Sequence, residues 1–445
     1  MRLQIDSFKK SFLQFKDLLF NDFFPTEVIE AIIAHTPRKR ASVFPPLVTL
    51  KAFMFEVLSD DGSCKNAVAG VLVDRLIEGK SANSTNTGPY CKARQRLPLA
   101  QMTGAVTATG SRLHQQSAKP WLWHGWNVVL ADAATLSMPD TPKNQAVFPQ
   151  QSTQKPGLGF PIVRLPALIS LATGAIIDYR LGTYQGKGTG ETSLFSQVLD
   201  ALSAGELLMA DRHYCTYAII APMLAKGIPV LFPLYANKKA DFKNGIKLAS
   251  RDHLVEWKKP KRKPVWMTAL EYADMPDFIT VREFKVKGVV YVTTLLNAKK
   301  HHKNELASLY KERWKIELDF RSIKTNMGMD VLRCKTPEMV KKEIAVHLLA
   351  YNIIRGKIAQ AAVIHNKIPR QIGFRATVQL VCQAAKLTVV LTGKKLTQAL
   401  LALFKAIAST VIGKQKRKNQ PRAIKRRPKP YPLLTIPRRE ACLTL

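Results

Sequence analysis

The chain has 445 residues, 46% of them hydrophobic, enough to fill about two to four domain cores and too apolar for a disordered chain. Lys and Arg number 68 against 32 Asp and Glu, a net charge of +36; such a field favours a polyanionic partner, nucleic acid first, with a ribosome-associated or merely basic protein as the plain alternative. Lys386 and Lys405 interrupt the most apolar stretches before they reach the roughly 20 residues of a membrane span, and Asp6, Asp17 and Asp22 alternate with Lys9, Lys10 and Lys16 where a signal peptide would need an apolar core.

Residues 1–115 read as helical. Val28, Ile29, Ile32 and Ile33, then Leu47, Leu50, Phe53, Met54, Val57 and Leu58, recur at the three-to-four-residue spacing of a helix face. Basic clusters lie between, Arg38-Lys39-Arg40 and Cys91-Lys92-Ala93-Arg94-Gln95-Arg96. Arg94 and Arg96 are candidate phosphate contacts, a solvated basic loop being equally consistent with the pattern.

From about residue 126 the period shortens. Trp126-Asn127-Val128-Val129-Leu130-Ala131 is an apolar run ending at Asp132, and Val163 to Gly182 holds two more strand-like runs around Thr173-Gly174. There follow a helix at Glu191 to Ala201, the run Leu207-Leu208-Met209-Ala210 ending at Asp211, a helix at Thr216 to Ala225 and a strand at Pro229 to Leu234. That order is the order of an α/β layer with a mixed sheet. Residues 236–302 are irregular and rich in Lys and Trp, with strands at Phe278 to Val286 and Val289 to Leu296 around Lys287-Gly288, the pattern of a mostly β insertion. Helices resume at about 303 and run with breaks to 412; in the tail 414–429 nine of sixteen positions are Lys or Arg, a composition expected to be disordered when free.

An aspartate at a strand end is a ligand position in an α/β sheet and equally an ordinary turn residue, so Asp132 and Asp211 are weak signals alone. Tyr310 to Lys324 holds neither Gly nor Pro and reads as a helix. At about 100° per residue Tyr310, Arg313, Glu317 and Lys324 fall within roughly 60° of one another, so a phenol, a guanidinium, a carboxylate and an ammonium share one face. Arg313 and Glu317 could be no more than an exposed i,i+4 ion pair. Leu309, Ile316, Leu318 and Phe320 flank the polar stripe, however, and give the helix a packing face.

The spacing Tyr-x2-Arg-x3-Glu-x6-Lys resembles the YREK signature of the bacterial DDE transposase family named after insertion sequence 4. Asp132-Ala133-Ala134-Thr135 and Asp211-Arg212-His213-Tyr214 are similar to that family's two aspartate segments. The resemblance covers about residues 90–355, including Ala93-Arg94-Gln95-Arg96-Leu97-Pro98. It implies an RNase H-like catalytic core at 116–235 and 303–365, interrupted by the β-rich insertion at 236–302. A helical DNA-binding region at 1–115 would precede it, and a helical region with the basic tail at 366–445 would follow.

The activity the resemblance implies is cutting DNA at the terminal inverted repeats of an insertion sequence and joining the 3′ ends to target DNA, by metal-dependent hydrolysis and transesterification, in a cut-and-paste pathway through a hairpin intermediate. Asp132, Asp211 and Glu317 would be the catalytic residues and the ligands of two Mg²⁺ ions, with Mn²⁺ as a substitute and Asp132 shared between the ions. Tyr310, Arg313, Lys324 and Arg212 would contact DNA. Trp257 or Trp266 in the insertion would stack on or replace a flipped base, while Trp314 reads as a packing residue. The implied partners are transposon-end and target DNA and a second copy in a synaptic homodimer, in the cytoplasm on the nucleoid, with no membrane.

His213 invites a metal or base role that a two-metal mechanism does not require. Gly186-Lys187-Gly188-Thr189-Gly190 lacks phosphate-loop spacing and reads as a flexible loop. The cysteines at 64, 91, 215, 334, 382 and 442 form no C-x-x-C pair and are expected to be reduced and mostly buried. Two other functions would use the same residues: an RNase H-like nuclease that cuts without joining, and a DNA-binding repressor with an inactive site, against which the complete acidic triad stands.

Overall fold

A computed structural model describes residues 26–37, 43–81, 84–186, 190–385, 387–412 and 434–443. Arg38-Lys39-Arg40, Lys187-Gly188-Thr189 and the tail at 414–429 lie outside the described residues.

Among the described residues five α-helices precede the sheet: α1 (Thr26–His35), α2 (Pro46–Leu58), α3 (Cys64–Ile77), α4 (Gly88–Arg96) and α5 (Leu99–Gln115). Pro46 opens α2, where its missing N–H costs nothing, and Ser63 Oγ accepts the Asn66 N–H at 3.1 Å to cap α3. Leu50, Phe53 and Met54 of α2 join Met102, Ala105 and Val106 of α5 in the main core. Helix α4 turns Arg94 inward. Its guanidinium donates to Glu56 Oε1 at 2.8 Å and lies 4.7 and 5.1 Å from the centres of the Phe53 and Tyr90 rings. This corrects the reading of Arg94 as a phosphate contact: the buried Glu56 carboxylate needs a counter-charge, and Arg94 is committed to it.

The strands are β1 (Asn127–Ser137), β2 (Ile162–Ser170), β3 (Ile176–Tyr179), β4 (Gly182–Thr183), β5 (Glu206–Ala210), β6 (Val230–Pro233), β7 (Ile246–Ala249), β8 (Asp252–Lys258), β9 (Phe278–Val286) and β10 (Val289–Thr293). They form one sheet in the order β3-β2-β1-β5-β6-β10-β9-β8-β7, with β4 on β2. β1, β2 and β3 are antiparallel, β5 runs parallel to β1 and β6 parallel to β5, which is the mixed sheet of an RNase H-like core. Strands β7 to β10 are antiparallel and continue the sheet past β6, so the insertion prolongs the core sheet instead of forming a second one. Lys287 and Gly288, with φ of 48° and 85°, make the tight turn between β9 and β10.

Alternation along the strands assigns the faces. Val128 and Leu130 of β1 and Leu207 and Met209 of β5 enter the main core, while Val129, Ala131, Leu208 and Ala210 enter a second core on the opposite face. Asp132 and Asp211 continue the first set. Asp132 does not end its strand, as the apolar run suggested: β1 goes on to Ser137, with Asp132 opposite Ala167 of β2. What ends there is the ladder with β5, whose last pair is Ala131 with Ala210. Beyond that pair β1 has no strand beside it on that edge, which is met again only by a single bridge from Ser137 to Val331.

The remaining helices are α6 (Pro142–Val147), α7 (Glu191–Ser196), α8 (Tyr217–Ala225), α9 (Ala269–Ala273), α10 (Lys303–Lys311), α11 (Lys315–Arg321), α12 (Pro337–Ile364), α13 (Phe374–Ala384), α14 (Leu387–Val390), α15 (Gly393–Ser409) and α16 (Arg438–Leu443). Helix α12 runs through the main core and packs on α5, α2 and α15. Among the described residues no helix is long and apolar enough to cross a membrane.

Candidate active site

The parallel pairing of Ala131 with Ala210 makes Asp132 and Asp211 neighbours, each the next residue on its chain. Asp211 also caps the 3-10 turn Arg212–Tyr214, its Oδ1 accepting the His213 N–H at 3.3 Å. Glu317 arrives from a helical run that is not uniform: α10 tightens into a 3-10 turn at Glu312–Trp314, α11 carries Glu317, and the run widens into a π turn at Ser322–Asn326. Leu306, Leu309, Ile316, Phe320 and Ile323 anchor one side of it in the main core, the face of the sheet toward which the two aspartates alternate. One tight turn and one wide turn offset each other in angle, and the polar stripe stays on the sheet. Tyr310 Oη donates to Ala210 O at 3.2 Å and Lys324 Nζ to Thr135 O at 3.0 Å.

Arg313 stands at the centre. Its Nη1 lies 3.1 Å from Asp132 Oδ2, and its Nη2 lies 3.9 Å from Asp211 Oδ2 and 3.5 Å from Glu317 Oε1. Burial pushes the Asp132 carboxyl above its ordinary range; the Ala133 N–H and Arg313 pull it back, and the negative charges of Glu191 and Asp211 push it up further. Burial opposes the charge on Arg313, but Tyr310, Asp132, Asp211 and Glu317 outweigh it and hold the guanidinium above its usual value. The Tyr310 phenol is driven well up, chiefly by burial. Three carboxylates share one guanidinium, so the centre has room for more positive charge.

Among the described residues no group of three or more His, Cys, Asp or Glu is arranged to hold a metal by itself; the carboxylates converge on Arg313. As a donor set, three carboxylates offer oxygen only, which suits a hard cation such as Mg²⁺.

Sequence reasoning overlooked Glu191, on the first turn of α7. Tyr214 Oη donates to its Oε1 at 2.6 Å, and the Tyr214 ring is stacked 3.8 Å from Phe195, so the Asp-Arg-x-Tyr segment ties a fourth carboxylate to the site. The signal available was the Tyr three residues after Asp211. Arg212 and His213 are exposed, and His213 meets Tyr235 edge-on at 6.0 Å.

Other expected residues are placed elsewhere. Trp257 is 8% exposed, its indole N–H donating to Glu283 Oε1 at 2.9 Å with Lys238 Nζ 3.6 Å from the ring centre, so it is a core residue of the insertion and not a free stacking surface. Trp266 is half-buried against the same core. Trp314, read as packing, is 54% exposed beside Arg313, since at about 100° per residue it falls on the side of the run roughly opposite the buried Ile316. Arg96 is half-buried and lines a cleft with Thr36, Phe44 and Leu47. Of the five cysteines whose surroundings are described, all are free thiols and only Cys215 is buried, which corrects the expectation that most would be.

Residues 123–353 match the family described as Transposase DDE domain. The chain belongs to that family. Among relatives of this DDE transposase, the transposase InsG of insertion sequence element IS4 from Escherichia coli is 26% identical over 349 residues, covering 77% of each chain. The transposase of insertion sequence element IS421 from Escherichia coli is 33% identical over 76 residues, 17% of this chain and 20% of that one. A solved piggyBac transposase synaptic complex with hairpin DNA superposes with a TM-score of 0.47 at 9% identity, covering 88% of this chain and 86% of that chain. The matched family segment holds Asp132, Asp211 and Glu317 together with the insertion between them.

Proposed function

We propose that this DDE transposase cuts DNA at the terminal inverted repeats of an insertion sequence and joins the freed 3′ ends to target DNA, with Asp132, Asp211 and Glu317 as its catalytic carboxylates. The observation that carries the reading is the convergence on Arg313 of three carboxylates drawn from β1, the end of β5 and α11. Those three would hold two Mg²⁺ ions, or Mn²⁺ in their place, and the chemistry such a pair supplies is activation of the attacking oxygen and stabilisation of the leaving one.

The chain's own side chains do the rest. Asp132 would be the ligand shared between the ions, as the resemblance to the insertion sequence 4 family implies. Arg313 compensates the carboxylates until phosphate and metal arrive, and its fork can then take two oxygens of one phosphate. Lys324 and Tyr310, now on backbone carbonyls, lie on the same helical run as Arg313, and the exposed Arg212 follows Asp211. For a hairpin pathway, exposed Trp314 beside Arg313 offers a stacking surface for an unpaired base, which buried Trp257 does not. A second copy would bring the other transposon end, and the net positive charge would keep the protein on nucleoid DNA.

Incubation with end-repeat DNA, a target plasmid and Mg²⁺ is expected to give cut ends and joined products. Cutting without joining would favour the nuclease. Asp132→Ala, Asp211→Ala and Glu317→Ala are each expected to bind end DNA and yield no product above background; three variants that cut and join like wild type would remove the site assignment.

A further inference from the structure

Two residues past Glu317 on α11, Asp319 is fully buried. Its Oδ1 accepts three bonds, from Tyr351 Oη at 3.0 Å, Arg355 Nη2 at 2.5 Å and Arg370 Nη1 at 2.6 Å, while Oδ2 has no partner. Tyr351 and Arg355 belong to α12, and Arg355 Nε also donates to Tyr351 Oη at 2.8 Å. Arg370, on the turn Pro369–Gln371, gives its other donors to the end of the β2–β3 hairpin: Nε to Leu171 O at 2.7 Å and Nη2 to Ser170 O at 2.8 Å. The hairpin admits both guanidiniums because residue 174 is Gly; a Cβ there would lie 2.8 Å from Arg355 Nε and 2.8 Å from Arg370 Nη1. The Leu171 N–H in turn donates to Val128 O of β1 at 2.9 Å. The contacts therefore run from the helix of Glu317, through one carboxylate and one guanidinium, to the strand of Asp132.

Stability alone does not call for this arrangement. Two guanidiniums and a carboxylate are costly to take out of water, and apolar residues of the same volume would often pack as well. What a planar fork adds is direction. A helix seated by apolar contacts can roll about its axis, whereas donors from two further elements meeting on one oxygen define its roll. We propose that Asp319 is a positioning residue for strand cleavage: its contact with Arg370 sets the roll of α11 so that Glu317 meets Asp132 and Asp211 across Arg313. The proposal rests on the reading of those three carboxylates as catalytic.

The test uses the full chain with end-repeat DNA. Asp319→Asn, Arg370→Met and Arg370→Lys are compared with wild type by folded fraction, metal-free DNA affinity, single-turnover cleavage at saturating DNA, and Mn²⁺ half-saturation read by electron paramagnetic resonance. Asp319→Asn and Arg370→Met are expected to bind end DNA within about twofold of wild type, to cleave about 10–100-fold more slowly and to need correspondingly more Mn²⁺, the usual scale for residues that orient ligands. Arg370→Lys, which keeps a cation for Asp319 but loses the fork, should recover part of both. Wild-type cleavage and Mn²⁺ half-saturation in the folded fraction, with only less protein folded, would overturn the proposal. If Asp319→Asn does not fold, Arg370→Lys decides on the same two readouts. Glu317→Ala separates the underlying reading: if it is inactive the network variants are judged as above, and if it cleaves like wild type the carboxylate assignment itself has failed.

Discussion

At the scale of single residues, the centre is organised by a cation the chain carries itself. Asp132 is raised by its burial and by neighbouring acids, so the carboxylates lie this close together only with a compensating charge among them, and Arg313 supplies it at 3.1, 3.9 and 3.5 Å. Arg313→Ala is therefore expected to retain end-DNA binding but to slow cleavage at saturating Mg²⁺ by about 100–1000-fold, the scale for a lost donor at a centre of developing charge. Arg313→Lys should recover little, because one ammonium cannot replace a fork spread over three acceptors. Single-turnover cleavage with labelled end DNA measures both, and a wild-type rate for Arg313→Ala would remove the arginine from the chemistry. All four polar residues of the glutamate helix were readable from their spacing. Glu191 was not, since only folding brings α7 beside the turn after Asp211.

At the scale of elements, the helices hold the sheet through close backbone approach as well as apolar packing. Helix α5 crosses β3 at Gly110, where an added Cβ would lie 1.6 Å from Ile176 O and 3.0 Å from Asn352 Nδ2. Asn352 of α12 completes the junction, donating to Ile176 O at 2.9 Å and Val106 O at 3.1 Å and accepting the Ile176 N–H at 2.8 Å. Gly110→Ala must push α5 off β3, and a loss of about 3 kcal/mol is expected. Gly104→Ala, on the same helix with open space around its Cβ position, should be neutral or stabilising by up to about 1 kcal/mol. Thermal unfolding of the two variants distinguishes them; equal melting temperatures would contradict the junction. The departures from a uniform helix belong to this scale too. Nothing in Tyr310 to Lys324 signals a 3-10 turn followed by a π turn, because the segment holds no Gly or Pro to interrupt a uniform helix.

At the scale of the molecule, the net charge of +36 dominates any encounter with DNA. Affinity for end DNA is expected to fall linearly with the logarithm of salt concentration, each phosphate contact adding about 0.9 to the slope. Replacing the nine Lys and Arg residues of 414–429 with Gln should reduce the slope by several units and weaken random-sequence binding. Cleavage at saturating DNA should stay within a few-fold of wild type. Fluorescence anisotropy across a salt series and a cleavage assay measure the two effects, and a fall in cleavage as deep as that of Glu317→Ala would assign the tail to the chemistry.

The amino-acid sequence by itself determined the succession of strands and helices along the core and the residues of the glutamate helix, because strand and helix periods and fixed motif spacing are local properties of the chain. Only the tertiary structure decided which charged residues face the site. Arg94 and Trp257 carry the residue types of DNA contacts and are held in cores by Glu56 and Glu283, since a buried carboxylate takes the nearest donor that packing offers. Asp132 and Asp211 read as two separate strand ends. They become one site because the parallel register of β1 and β5 stops one residue before each, and register is a property of pairing that neither strand contains alone.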